Sequence, residues 1–403
     1  MRIQQVSVVA AFCLALSLSV FAGDARLNQL PPTTFNQIAK LIAPDGEAFD
    51  MFGFSVAISG STIVVGKADS ALDTAFVFEN NSGTVTQVAE LTPSDGVAGD
   101  RFGYSVAISG NTIVVGSRNH KNSKPVNFGS VYVYVKPAGG WSNMTETAEL
   151  NLAQVGASVG SYIATNGNTV ASVNLGNSTV VVWNEPSGGW VSSSKPNAEL
   201  INSGAGTLSG VAMSGNVIVA GSPNAYQFYG SVFLYVKPTN GWNKIGITET
   251  ARLVGSAVGG GGGNGLAMDG NTVVTGGNAG PTNGAYIYVK PSGGWVNMNQ
   301  TAFLSFAGVS SVAVSGGTVV VGNPFQLVGV NPEQGAAFVF EKPAGGWKDT
   351  STPNAELTAS DGNIQDELGT SVAVSGGTVV AGAPQAALGS NFNQGAAYVF
   401  AQQ

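Results

Sequence analysis

Arg101-Phe-Gly-Tyr-Ser-Val-Ala-Ile-Ser-Gly110, continued by Asn111-Thr-Ile-Val-Val-Gly116, decides the fold. Ser105–Ser109 and Thr112–Gly116 are short runs rich in β-branched residues. The pair Gly110-Asn111 between them is the glycine-containing two-residue turn of a β-hairpin. The second run is apolar on both faces, which suits a strand covered on both sides. Phe52 to Gly66 is nearly the same text, and weaker copies follow along the chain.

The turn glycine recurs at Gly60, Gly110, Gly167, Gly215, Gly270, Gly316 and Gly376, with spacings of 50, 57, 48, 55, 46 and 60. An alanine stands three residues before each. A second marker, Ala-x-Leu, recurs at 39/41, 89/91, 148/150, 198/200, 251/253, 302/304 and 355/357. Both markers count seven, and repetition at this period signals a repeat architecture. Each unit reads as four strands, exemplified by A (Ser105–Ser109), B (Thr112–Gly116), C (Ser130–Val135) and D (around Ala148–Leu150). Helical periodicity is absent after the first segment.

A β-solenoid and a β-propeller both repeat strands, but a four-stranded meander is the propeller blade. The chain's ends select the propeller. Residues 35–42 read as a D strand and Ala396–Phe400 as a C strand, so the first can complete the last blade. The expected fold is all-β: a seven-bladed propeller of four-stranded antiparallel blades over residues 34–403. The ring would be closed by the N-terminal outer strand.

Composition excludes several classes. The 403 residues include 57 glycines and 17 prolines, with 43% hydrophobic and only 10% charged residues, so bulk disorder is excluded. Sixteen basic residues against 23 acidic ones leave no basic face for nucleic acid. One histidine and one cysteine exclude most zinc, Cys–His and haem chemistry.

Met1-Arg2, the apolar run Val6–Phe21 and the small residues Val20 and Ala22 read as a signal peptide over 1–22, cut before Gly23. The run falls short of a spanning helix, and no later stretch would cross a membrane. Residues 23–33 read as a short linker. The expected destination is the periplasm, the cell surface or the medium. Cleavage would remove Cys13 and leave a mature chain without disulfides.

Phe52-Gly53 and Phe102-Gly103 ahead of strand A, with Gly382-Ala-Pro384 after strand B, resemble the FG-GAP repeat. Gly221-Ser-Pro223 and Gly322-Asn-Pro324 are variants of the closing part. The resemblance covers residues 34–403 and implies the seven-bladed propeller of integrin alpha subunits. It implies, too, partner recognition through one face. Phe-Gly is intact only in the first two units, with Leu368-Gly369 in the last, and Val173 replaces the second glycine in the third. Integrin-type calcium loops between strands A and B have no counterpart in these two-residue turns, so their metal sites are not transferred.

Three D-to-A loops carry Asp-Gly with a second Asp five residues after the first: Asp45/Asp50, Asp95/Asp100 and Asp361/Asp366. These six carboxylates are the candidate calcium ligands, and calcium is the one cofactor the loops would admit. Two side chains per loop fall short of calcium's six to eight oxygens. The alternative is an Asx-type turn whose second Asp accepts from backbone amides.

Trp141, Trp190, Trp242, Trp295 and Trp347 sit in five C-to-D turns of the form Pro-x-[Gly/Asn]-Gly-Trp. They would either stack on sugars or cap the hairpins and cover the blade edge. Arg118–Lys124, which includes His120, reads as a solvated insertion. The run Gly259–Gly263 lacks the Lys-Ser/Thr of a phosphate loop.

These readings converge on an exported, monomeric, non-catalytic binding protein. Its partner would be an extracellular protein or glycan, met by the variable B-to-C and D-to-A loops. A lectin using the tryptophans and a carbohydrate-active enzyme using loop carboxylates are the rivals.

Overall fold

The computed structural model describes residues 34–67, 74–121, 129–154, 156–204, 206–225, 230–255, 265–277 and 283–403. The expected signal segment and linker, the loop residues 122–128 and the run Gly259–Gly263 lie outside them. From Thr33 onward the chain forms one unit of seven antiparallel sheets, each a meander of strands A to D. Among the described residues no helix is long and apolar enough to cross a membrane.

Blade 2 shows the pattern, with strands at Phe102–Ser109, Thr112–Ser117, Ser130–Val135 and Ala148–Leu150. The A–B hairpin has the expected two-residue turn, since Ser109 pairs with Thr112. Gly110 there has φ +57°, a conformation glycine adopts without cost.

Blade 7 takes strands A to C from Ser371–Ser375, Thr378–Ala383 and Ala396–Gln402, and strand D from Phe35–Leu41. Phe35 pairs with Gln402 and Leu41 with Ala397, with an irregularity between Gln37 and Ala39. The ring is closed as the sequence predicted, and two sheet edges that would otherwise be open are paired.

The apolar core lies between blades. One cluster joins Phe52, Val65, Phe76 and Phe78 of blade 1 to Ala373, Val380 and Val399 of blade 7. Another joins Val64, Val77 and Leu91 of blade 1 to Phe102, Ile113 and Tyr132 of blade 2. Strand B contributes to both of its neighbours because side chains alternate across it, which explains its apolar character on both faces.

The glycine motif is a device for the same interfaces. Gly53, Gly103, Gly160 and Gly369 all have φ between +83° and +93°. The carbonyl of each accepts the hydroxyl of a strand-A serine in the preceding blade: Ser371, Ser55, Ser105 and Ser311, at 2.7–2.8 Å. Each carbonyl also lies against the strand-B glycine of that blade (Gly382, Gly66, Gly116 and Gly322), where a Cβ would overlap it. Val159-Gly160 therefore fills the Phe-Gly slot of blade 3, which its sequence disguises. These tight interfaces are the consecutive ones 6–7, 7–1, 1–2 and 2–3.

The five tryptophans belong to the interfaces as well. All are buried at 1–7% exposure, and each packs in the cluster shared with the preceding blade, as Trp242 does with Leu200 and Trp295 with Leu253. The residues that follow each tryptophan pair in parallel with strand D of that preceding blade. They form full strands at Ile245–Thr248 and Met298–Asn299, and single bridges at Met144, Ser193 and Thr350. Two sheets consequently have five strands where four were expected. The sugar-stacking rim is corrected: these indoles wedge blades together and do not face solvent.

Candidate functional site

The two ends of the blades differ in kind. At the A–B end the turns are short and linked from blade to blade. Gly60 and Gly110 donate N–H to the hydroxyls of Ser375 and Ser59, and Gly270 donates to Ser214. These groups surround a 280 Å³ opening of the central channel. The other end carries the D–A and B–C loops around a 430 Å³ mouth that includes Phe54, Tyr104 and Tyr162.

At the loop end, the D–A loop entering one blade is zipped to the B–C loop of the blade before it. Phe49 and Met51 donate N–H to the carbonyls of Phe392 and Asn393. Gln365 and Glu367 do the same to Pro332 and Glu333. The turn in these loops puts Phe49 at φ 71° and Met51 at 54°, and Gln365 at 64° and Glu367 at 57°. Blade 2 has Gly99 in the first of these positions and Arg101, at 56°, in the second. Left-handed conformations are unfavourable for bulky residues.

This end also carries exposed apolar side chains. Phe49, Val97, Ile364, Phe325, Leu327, Val330 and Phe392 all occupy D–A or B–C loops of blades 6, 7, 1 and 2. Phe392 is 70% exposed and Val330 89%.

The six predicted carboxylates fall into three equivalent pairs. The second Asp of each pair is buried and accepts a backbone N–H of its own loop: Glu47 to Asp50 at 2.7 Å, Val97 to Asp100 at 3.0 Å, and Asn363 to Asp366 at 2.7 Å. That is the loop-bracing role which the sequence offered as the alternative to ligation.

Each pair also faces a basic side chain of this chain, drawn from a different place each time. Lys67, at the end of strand B and 2% exposed, places Nζ 2.8 Å from Asp50 and 3.8 Å from Asp45. In blade 2 His120, 5% exposed, places Nδ1 2.8 Å from Asp100 and Nε2 3.4 Å from Asp95. In blade 7 Lys40, from strand D, lies 2.6 Å from Asp361. His120 is thus buried, which corrects the reading of its loop as a solvated insertion at that position.

The electrostatics differ across the pairs. Burial raises the Asp366 carboxyl above the ordinary carboxylate range, and the Asn363 N–H and the charge of Lys40 offset only part of that rise. Asp361 is held below that range: desolvation opposes ionisation, but hydrogen bonds from Lys40 and from the Tyr398 hydroxyl (2.9 Å) together outweigh it. Burial, then that same carboxylate, pushes the Tyr398 hydroxyl up. Lys67 and Lys40 went unnoticed in the sequence because both lie in strands, far from the loops they serve.

The molecule is a seven-bladed β-propeller with one uniform end and one variable, partly apolar end. Residues 35–83, 85–134 and 352–400 match the model of the FG-GAP repeat. The chain thus carries FG-GAP repeats within a seven-bladed propeller. Each matched stretch spans strand D of one blade and strands A to C of the next. The three A-to-C sets, those of blades 1, 2 and 7, are each entered by a glycine whose carbonyl accepts a serine hydroxyl. In fold the chain is also similar to the WD40 beta propeller domain of Doa1, with a TM-score of 0.55 and 12% identity over 92% of this chain and 97% of that one. Comparison with curated protein sequences finds no match.

Proposed function

We propose that the protein is an exported, non-catalytic binding protein that takes an extracellular partner on the loop face of blades 6, 7, 1 and 2. The observation that carries this reading is the group of exposed apolar side chains that, among the described residues, gathers on the D–A and B–C loops of those consecutive blades. Contiguous exposed apolar surface marks interaction sites on soluble proteins, and scaffolds place recognition on variable loops. Phe49 adds weight: a large exposed side chain is kept in a backbone conformation that costs stability, and such strain gathers at functional sites. The apolar character favours a protein surface over a glycan. Calcium, if it binds, does so at Asp45, Asp95 or Asp361, the outer carboxylates, because Asp50, Asp100 and Asp366 already brace their loops.

The test is capture of extracellular proteins by the immobilised full chain, with a glycan array in parallel. The variant Phe49→Ser/Phe325→Ser/Phe392→Ser should lose the capture while melting like the parent. Capture that survives replacement of these loops would defeat the proposal. Glycan turnover lost with Asp95→Ala/Asp100→Ala would favour the enzyme instead.

A further inference from the structure

We propose that Asp95, His120 and Glu149 form a site for a first-row transition-metal ion, best suited to Zn²⁺, at the loop end of blade 2. The three residues offer donor atoms lying within 4.8 Å of one another. His120 Nε2 is 3.4 Å from Asp95 Oδ2 and 4.0 Å from Glu149 Oε1. Tetrahedral zinc with bonds of about 2.0–2.1 Å separates its ligand atoms by about 3.4 Å. The first distance already fits, and the second closes with a small movement of a partly exposed glutamate.

The surroundings are those that orient metal ligands. Asp100 accepts from His120 Nδ1 at 2.8 Å and is itself held by the Val97 N–H. With the proton on Nδ1, the Nε2 lone pair points at Asp95 and Glu149, the carboxylate–histidine arrangement that raises imidazole basicity toward a metal. Tyr132 donates its hydroxyl to Asp95 Oδ1 at 2.8 Å, which leaves Oδ2 toward the histidine. Ser130 and Asn151 both donate to Glu149 Oε1, at 2.7 and 2.9 Å, the oxygen that faces His120. Every ligand is therefore braced by a second residue.

Comparison with the sister loops separates this site from an ordinary ion pair. Blades 1 and 7 fill the equivalent place with the ammonium of Lys67 or Lys40, which has no lone pair while protonated. Blade 2 substitutes an imidazole, which can ligate. It also has Glu149 at the strand-D position that Lys40 occupies in blade 7, adding a carboxylate where the other adds a cation. One nitrogen and two oxygens suit zinc better than calcium, which takes six to eight oxygens. The Asp95 side chain is 47% exposed, so water can complete the coordination.

The experiment is titration of the full chain with Co²⁺, followed by visible absorption and by competition with Zn²⁺. One Co²⁺ should bind per chain with the bands of a low-symmetry site, be displaced by one Zn²⁺, and raise the melting temperature. His120→Gln and Glu149→Gln should each weaken binding at least 100-fold, and Asp100→Asn about 10–100-fold through lost orientation. Asp45→Asn should bind like the parent. Absence of one-to-one binding by the parent at micromolar metal would overturn the site. So would parental affinity in His120→Gln or in Glu149→Gln; the second variant keeps the test valid if the first fails to fold.

Discussion

Ser371 donates its hydroxyl to the carbonyl of Gly53 at 2.8 Å, joining two residues 318 apart in the chain. The same carbonyl rests against Gly382, so one peptide group of blade 1 is held by strands A and B of blade 7. A Cβ on Gly382 would collide with backbone, which cannot give way as a flexible side chain can. Gly382→Ala should therefore cost about 2–3 kcal/mol or more by overpacking. Ser371→Ala should cost about 1 kcal/mol for the lost hydrogen bond. Gly60→Ala, in open space at φ +60°, should cost only about 1–2 kcal/mol. Urea denaturation of the three variants checks the order.

Lys67→Met should destabilise the protein strongly, by about 3–5 kcal/mol, because it leaves the buried Asp50 carboxylate without its cation. Adding Asp50→Asn removes the stranded charge, and the amide oxygen can still accept from Glu47. The double variant should recover most of the loss in the same denaturation experiment.

Asp366 provides a pH test. Its folded-state carboxyl is raised by burial, so the folded protein takes up the proton before the unfolded chain does. Stability then falls as pH rises from the ordinary carboxylate value through the raised one, and at neutral pH the charge is a cost. Asp366→Asn should melt higher than the parent at pH 7. The difference should shrink toward zero as the pH is lowered below about 4, near the ordinary aspartate value. A constant difference across that range would point to packing rather than charge.

Trp295→Ala should cost about 3–5 kcal/mol, the loss expected for a buried tryptophan, and leave any partner binding at the opposite end unchanged in the surviving folded fraction. Thermal melts together with binding isotherms separate the two effects.

Much of the architecture is legible in the sequence because it follows from local rules. The hairpin at Gly110-Asn111 needs only a turn and two β-branched runs, and seven copies of it determine the blade count. The role of Gly160 is hidden, since Val159 replaces the phenylalanine that marks the motif and only the contact to Ser105 reveals it. The tryptophans announce their period but not their direction, because spacing along the chain does not say which neighbouring blade a side chain enters. Lys40, Lys67 and His120 converge on equivalent loops from strand D, from strand B and from the loop after strand B. Their shared role exists only once the blades are superimposed. A lone histidine among carboxylates is, for the same reason, a donor set that counting histidines and cysteines overlooks.

Ring closure is the claim on which the architecture rests, and removing the closing strand tests it most directly. Deletion of residues 23–42 takes away Phe35–Leu41, the strand that pairs with Ala396–Gln402, and leaves the apolar cluster of blades 7 and 1 incomplete. The account predicts a sharply lower melting temperature, partly restored by a synthetic peptide spanning residues 34–42. A deletion variant that melts like the parent would contradict it.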